Sequence, residues 1–270
     1  MAYIQCVSGR NDGLALAFCV VVSSDSRCLV MPERRTDVDG IEENLKKIAA
    51  VEKSAFQELD ELYARGVLSK SDYQKRRSIV QNAFAMYAFP WMTEQYQVYW
   101  NKANSEEGAK DYKPGIVYYG LPYTQKVRNY NVDKALSEKR YLPADALYYL
   151  LNTDNLRGGT YCGNDCSSFV SMAIWGMGTS HSADNTRGIA TTDVYKTISS
   201  AADLRPGDLL NRSGRHVVMF LYFADAAKTQ MVIIEQGGGE AAINTCSTSI
   251  RNVSDYIDDQ YKIRRLSSLR

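Results

Sequence analysis

Hydrophobic positions in the first third of the chain fall into two helical registers. From Asp39 to Arg65 the apolar residues Ile41, Leu45, Ile48, Ala55, Leu59 and Leu62 recur at steps of three and four or their multiples, the period of one helix face. Asp37 or Asp39 can cap the start of that helix, and Gly66 can end it. After the connector Gly66–Ser69 a second pattern, Tyr73, Val80, Ala83, Ala85 and Tyr87, runs to Pro90. Two amphipathic helices joined by so short a link predict an antiparallel hairpin. Its outer faces read as plain Lys, Glu, Arg and Gln surface, so the expectation is a helical appendage packed on the domain that follows. Coiled-coil partnering is the alternative, but the heptads lack good charge complementarity at their flanks. The longest apolar run, Leu14 to Val22, is far short of the roughly 20 residues a bilayer span needs. It has the length of a signal-peptide core with Arg10 before it, yet Asp12 offsets that charge and no A-x-A-like cleavage site follows. A buried strand over Ala15–Val22 is the plainer reading.

Beyond the hairpin, Trp91 to Asp111 reads as an irregular crossing segment anchored by Trp91 and Trp100. From Lys113 the texture changes to short apolar runs separated by turn signals. Strands are expected over Asp208–Leu210, His216–Phe223, Met231–Glu235 and Tyr261–Leu266, with a helix beginning at Asp165 or Cys166. Leu156–Gly163 and Gly237–Gly239 are loops by composition, and no internal repeat is visible. The layout is α+β, divided into an extended segment (1–38), the hairpin with its crossing segment (39–112) and an α+β domain (113–270).

Composition removes several classes of function. The chain has 270 residues, 45% hydrophobic and 23% charged, which excludes collagen-like and wholly disordered proteins. Lys and Arg number 32 against 31 Asp and Glu, and residues 1–115 split 15 to 16. No part carries the basic excess that a nucleic-acid partner demands. Six Cys are too sparse for a disulfide scaffold and include no CxxC pair. Only two His occur, so any imidazole chemistry must use His181 or His216.

The chemistry gathers around Gly163-Asn164-Asp165-Cys166-Ser167-Ser168-Phe169-Val170. Small polar residues end a loop and an apolar helix follows, so Cys166 stands at a helix N-terminus. Unpaired N–H groups and the positive end of the helix dipole favour a thiolate there, the form that attacks carbonyls. His216 opens a strand, well held as a general base beside a thiol. The next strand ends in Glu235 and Gln236, either of which can orient the second imidazole nitrogen. Cysteine, histidine and acceptor follow one another in an order that an antiparallel sheet can assemble.

These segments resemble the NlpC family of cell-wall cysteine peptidases. DCSSFVSMAIW is similar to the family's nucleophile motif and RPGDLLNRSGRHVVMF to its histidine motif. IIEQGGG lies where its third polar residue is expected, and Tyr119-Gly120-Leu121-Pro122-Tyr123 resembles its G-x-P-Y element. The likeness spans roughly residues 114–240 and leaves out the helical hairpin. It implies a papain-like fold, Cys166 as nucleophile, His216 as base, and Glu235 or Gln236 as the orienting residue. The oxyanion would be met by the Cys166 N–H and the Tyr123 hydroxyl, with Asp165 and Ser167 flanking the sulfur on the substrate side. The departures are Ser168 in place of a glycine, a third residue that is not His, and Tyr123 lying 43 positions before Cys166.

What the resemblance implies for function is hydrolysis of a γ-D-glutamyl-diamino acid bond in a peptidoglycan stem peptide, through a thioester and without cofactor or metal. Amidase or acyl-transfer chemistry on the same residues, and a non-catalytic module that binds wall peptides, are the alternatives. A wall substrate places the protein outside the cell or in a bacterial envelope, with no membrane span expected. Cys162, Cys166, His181 and His216 make a poor zinc set, since the two His belong to no tight pair. Cys162 could instead cap Cys166 by oxidation. His181, in a polar loop, reads as a surface residue.

Overall fold

The computed structural model describes residues 17–19, 28–30, 38–88, 90–91, 118–120, 165–176, 184–237, 246–257 and 260–270. Ala17–Cys19 (β1), inside the strand expected over 15–22, pairs antiparallel with Cys28–Val30 (β2). The two helices of the hairpin follow as Val38–Ala64 (α1) and Lys70–Tyr87 (α2). Gly66, at φ +71°, turns the chain where a side chain would strain the backbone. Ser69 caps α2 by accepting the Asp72 N–H at 3.1 Å, and its own hydroxyl donates to the Asp72 carboxylate at 2.8 Å. Pro90–Trp91 (β3) begins the expected crossing segment as a short strand paired with Tyr118–Tyr119 (β4), while residues 92–117 lie outside the described residues.

Cys166–Trp175 (α3) and the short Thr186–Thr191 (α4) precede Tyr195–Ile198 (β5), Leu209–Arg212 (β6), His216–Phe223 (β7) and Gln230–Gln236 (β8). Cys246–Asn252 (β9), the single turn Val253–Tyr256 (α5) and Lys262–Leu266 (β10) complete the chain. These strands form one antiparallel six-stranded sheet ordered β5-β10-β6-β7-β8-β9. The architecture is α+β. All four expected strands are present, whereas α4, β5 and β9 were not foreseen. No described helix is long and apolar enough to cross a membrane.

Two-residue alternation sorts the sheet into two apolar faces. Val217, Met219 and Leu221 with Val232 and Ile234 share one core with Phe169, Val170 and Ala173 of α3 and with Ile79, Val80 and Phe84 of α2. Val218, Phe220, Met231, Ile233, Leu210 and Ile263 form the opposite cluster, where Tyr256 and Tyr261 pack. β7 and β8 are buried on both faces, which is why their sequences are nearly unbroken apolar runs.

The hairpin is bound by more than apolar contact. Lys75 donates to the Ile174 carbonyl at 2.8 Å and Asn82 to the Ala173 carbonyl at 3.0 Å, satisfying acceptors at the end of α3. Arg76, expected on the outer face, is instead fully buried. It donates to the Pro206 carbonyl at 2.7 Å and to Asp208 Oδ1 at 3.0 Å. Arg265 of β10 grips the same carboxylate through Nε at 2.9 Å and Nη2 at 2.7 Å. Asp184 performs a similar service beside α3, accepting from Ser171, Trp175 and Tyr195 at 2.7, 2.6 and 2.7 Å.

Candidate active site

Asp165 begins the site by fixing where α3 starts. Its carboxylate accepts the Ser168 N–H at 2.8 Å, while the Ser168 hydroxyl accepts the Asp165 N–H at 2.8 Å, a complete capping box. The Ser167 hydroxyl donates to the same Asp165 oxygen at 2.8 Å. Both residues expected on the substrate side are thus engaged in shaping the helix end, and both are buried. Cys166 becomes the first helical residue, 7% exposed, with its N–H among those that have no acceptor within the helix.

His216 and Glu235 come to the same place from the sheet. The β7–β8 register pairs Met219 with Ile234, so one step further Glu235 falls opposite Val218, two positions from His216 and near the same sheet end. Alternation puts His216 with Val218 and Glu235 with Ile233, on one face. His216 Nε2 lies 2.7 Å from Glu235 Oε2, and the Cys166 side chain is near enough to the same imidazole to shift its charge state. With Nε2 on the carboxylate, Nδ1 is the nitrogen left for the sulfur. The imidazole side chain is 24% exposed and the carboxylate 6%.

This setting changes how the ring titrates. Burial disfavours the imidazolium, but hydrogen bonds with Cys166 and Glu235, and the charges of both, outweigh it and raise the pKa from 6.5 to about 9. The ring is therefore protonated at neutral pH, ready to give its proton to a leaving group.

Between the two acceptors that the sequence offered, it is Glu235 that meets His216. Gln236 is fully buried and falls opposite Cys246, whereas Glu235 falls opposite Ser247. Cys246 is a second buried cysteine, yet burial and the nearby Glu235 charge push its thiol well up, which keeps it neutral. Of these two, it is Cys166 that shifts the charge state of the imidazole.

Gly120 ties the G-x-P-Y-like segment to this end of the sheet. At φ +82° it packs so closely on β9 that a Cβ would meet the Cys246 carbonyl oxygen at 2.9 Å. Tyr119 beside it is half-buried, and burial pushes its phenol up to about 12. Tyr123, Cys162 and His181 lie outside the described residues. Among the described residues no group of three or more His, Cys, Asp or Glu side chains could hold a metal ion.

Sequence reasoning placed Gly120 in the G-x-P-Y-like element but missed Cys246 and Arg251 as neighbours of the site. Arg251 Nη2 stands 3.8 Å from Glu235 Oε1, and its charge also reaches the Tyr256 phenol. The glycine between tyrosines and a proline was a legible turn signal, but Arg251 sits on a strand too polar to announce itself.

No family model, no curated protein and no solved structure matches the chain.

Proposed function

We propose that the chain is an NlpC-type cysteine peptidase with a papain-like domain, hydrolysing the γ-D-glutamyl-diamino acid amide of a peptidoglycan stem peptide outside the cell or in the bacterial envelope. One observation carries the reading: the His216 imidazole stands 2.7 Å from a buried carboxylate and is influenced electrostatically by the helix-initial Cys166. The Cys166 thiolate attacks the carbonyl carbon, forming the C–S bond of a tetrahedral intermediate. Cleavage of the C–N bond sends the amine away with the proton carried by His216. Water then adds to the thioester as His216 takes its proton, the C–S bond breaks, and the acid product leaves. The Cys166 N–H and the Tyr123 hydroxyl are the proposed oxyanion donors, each worth about 3 kcal/mol. Support for Tyr123 comes from Gly120, three positions before it and packed at this end of the sheet. Glu235 orients the imidazole and holds it charged.

The test is incubation with purified muropeptides, read by mass spectrometry. Cleavage with gain of one water is expected. Cys166→Ala and His216→Ala should each lower turnover by at least about four orders of magnitude while leaving the fold intact. Muropeptides that stay whole although Cys166 labels rapidly with iodoacetamide would overturn the peptidase in favour of acyl transfer. Equal, slow labelling of all six cysteines would instead indicate a binding module.

A further inference from the structure

Arg251 extends the row formed by sulfur, imidazole and carboxylate. It lies opposite Met231 on β9, four positions beyond Ser247, the residue opposite Glu235. At about 3.4 Å per residue those four positions span roughly 13 Å of strand. The guanidinium nevertheless stands 3.8 Å from Glu235 Oε1, so the side chain runs back along the sheet toward the site. Ser249, between Arg251 and Ser247 on the same strand, has a buried hydroxyl with no hydrogen-bond partner among the described residues.

Holding Glu235 does not account for this placement. The separation of 3.8 Å is an ion pair without a hydrogen bond, and Glu235 already shares its charge with His216 at 2.7 Å. The Arg251 side chain is 41% exposed, and its Nε has no partner among the described residues. A guanidinium carries five donors in a planar fork that fits a carboxylate two bonds at a time. Here the fork stands 3.8 Å from the carboxylate that holds His216 and remains partly open to solvent.

We propose that Arg251 is a carboxylate receptor that selects substrates bearing a free carboxylate on the acyl side of the scissile amide. The inference rests on the peptidase reading and narrows it. A glutamyl residue linked through its γ-carbonyl keeps its α-carboxylate free, a short aliphatic arm from the bond that breaks. An α-linked peptide offers no such group there unless its side chain is acidic, and amidation removes it.

Binding and turnover can be tested separately. The probes are a γ-D-glutamyl-diamino acid peptide with a free α-carboxylate and its α-carboxamide twin, titrated into the full chain carrying Cys166→Ala. The carboxylate should bind at least about tenfold tighter, the loss expected when one charge-assisted hydrogen bond is missing. Adding Arg251→Gln should erase that difference by weakening the carboxylate and leaving the carboxamide unchanged. Equal affinity of the two peptides, or equal weakening of both by Arg251→Gln, overturns the receptor. A second readout compares alkylation of Cys166 by iodoacetate and iodoacetamide. Arg251→Gln should slow the anionic reagent about tenfold and spare the neutral one. Slowing of both would make Arg251 a positioning residue for Glu235 and sink the proposal. Carboxylate-selective binding without hydrolysis by the unmodified chain would refute the peptidase and leave the receptor standing.

Discussion

Glu235 sets the charge state of His216, and its removal is the most direct probe of the site at the scale of one residue. Glu235→Gln keeps the shape and a carbonyl acceptor for Nε2 but removes the negative charge. The imidazole pKa should fall from its raised value of about 9, a shift visible by NMR titration of the ring. The alkaline limb of the pH–rate profile should move to lower pH with it. The same shift has a consequence for stability. Because the folded pKa is raised, the stabilisation from charging this ring is complete below 6.5 and is lost as pH rises through about 9. Thermal melts across that window should show a larger loss for the unmodified protein than for Glu235→Gln. Cys166 and His216 were legible because helix-start chemistry and a strand-initial His are local features of sequence. The choice between Glu235 and Gln236 was not, since adjacent strand residues face opposite sides and only the register assigns the faces.

Elements differ in how plainly they were written. β7 and β8 are covered on both faces, and only continuous apolar sequence tolerates that. β5 and β9 are the two edges of the sheet, and all but one residue of each remain partly exposed or open to water. Cys-Ser-Thr-Ser-Ile-Arg-Asn therefore shows no apolar alternation, and its partner, not its composition, makes it a strand. The start of α3 was readable to within one residue because Asp165 and Ser168 have the spacing of a capping box. Gly120 joins β4 to β9 with a left-handed φ and no room for a side chain. Gly120→Ala should cost more than about 1 kcal/mol from the backbone alone, with the clash against Cys246 added. Urea denaturation measures that loss, and a weakened hold on the G-x-P-Y-like segment should also raise KM more than it lowers kcat.

At the scale of the molecule, Arg76, Asp208 and Arg265 join the hairpin, the turn before β6 and β10 at one buried point. Pro206 and Gly207 form a turn closed by the Asp208 N–H donating to the Arg205 carbonyl at 2.9 Å, and the Gly207 N–H ties it to the Phe220 carbonyl at 3.0 Å. Ile79 packs against Gly207, so α2 closes over the turn. The hairpin is thereby part of the same buried unit as the sheet and not a loosely attached appendage. Asp208→Ala would strand two buried guanidinium groups and should cost about 3–5 kcal/mol in urea unfolding. Arg76→Met should cost less, because Asp208 keeps its two bonds from Arg265. The two substitutions combined should be strongly non-additive, as expected for groups sharing one network.

Local rules thus determined the helical hairpin, the four apolar strands and the placement of Cys166 at a helix start, because each depends on periodicity, capping or composition within a short window. Long-range contacts decided the rest. Burial of Arg76 depends on a carboxylate 132 positions away, and the pairing of His216 with Glu235 depends on the register of two strands. Arg251 approaches the site only because β9 adds itself to the edge beside β8. A side chain's charge is written in its own residue, but the dielectric around it and the partner that meets it belong to the fold.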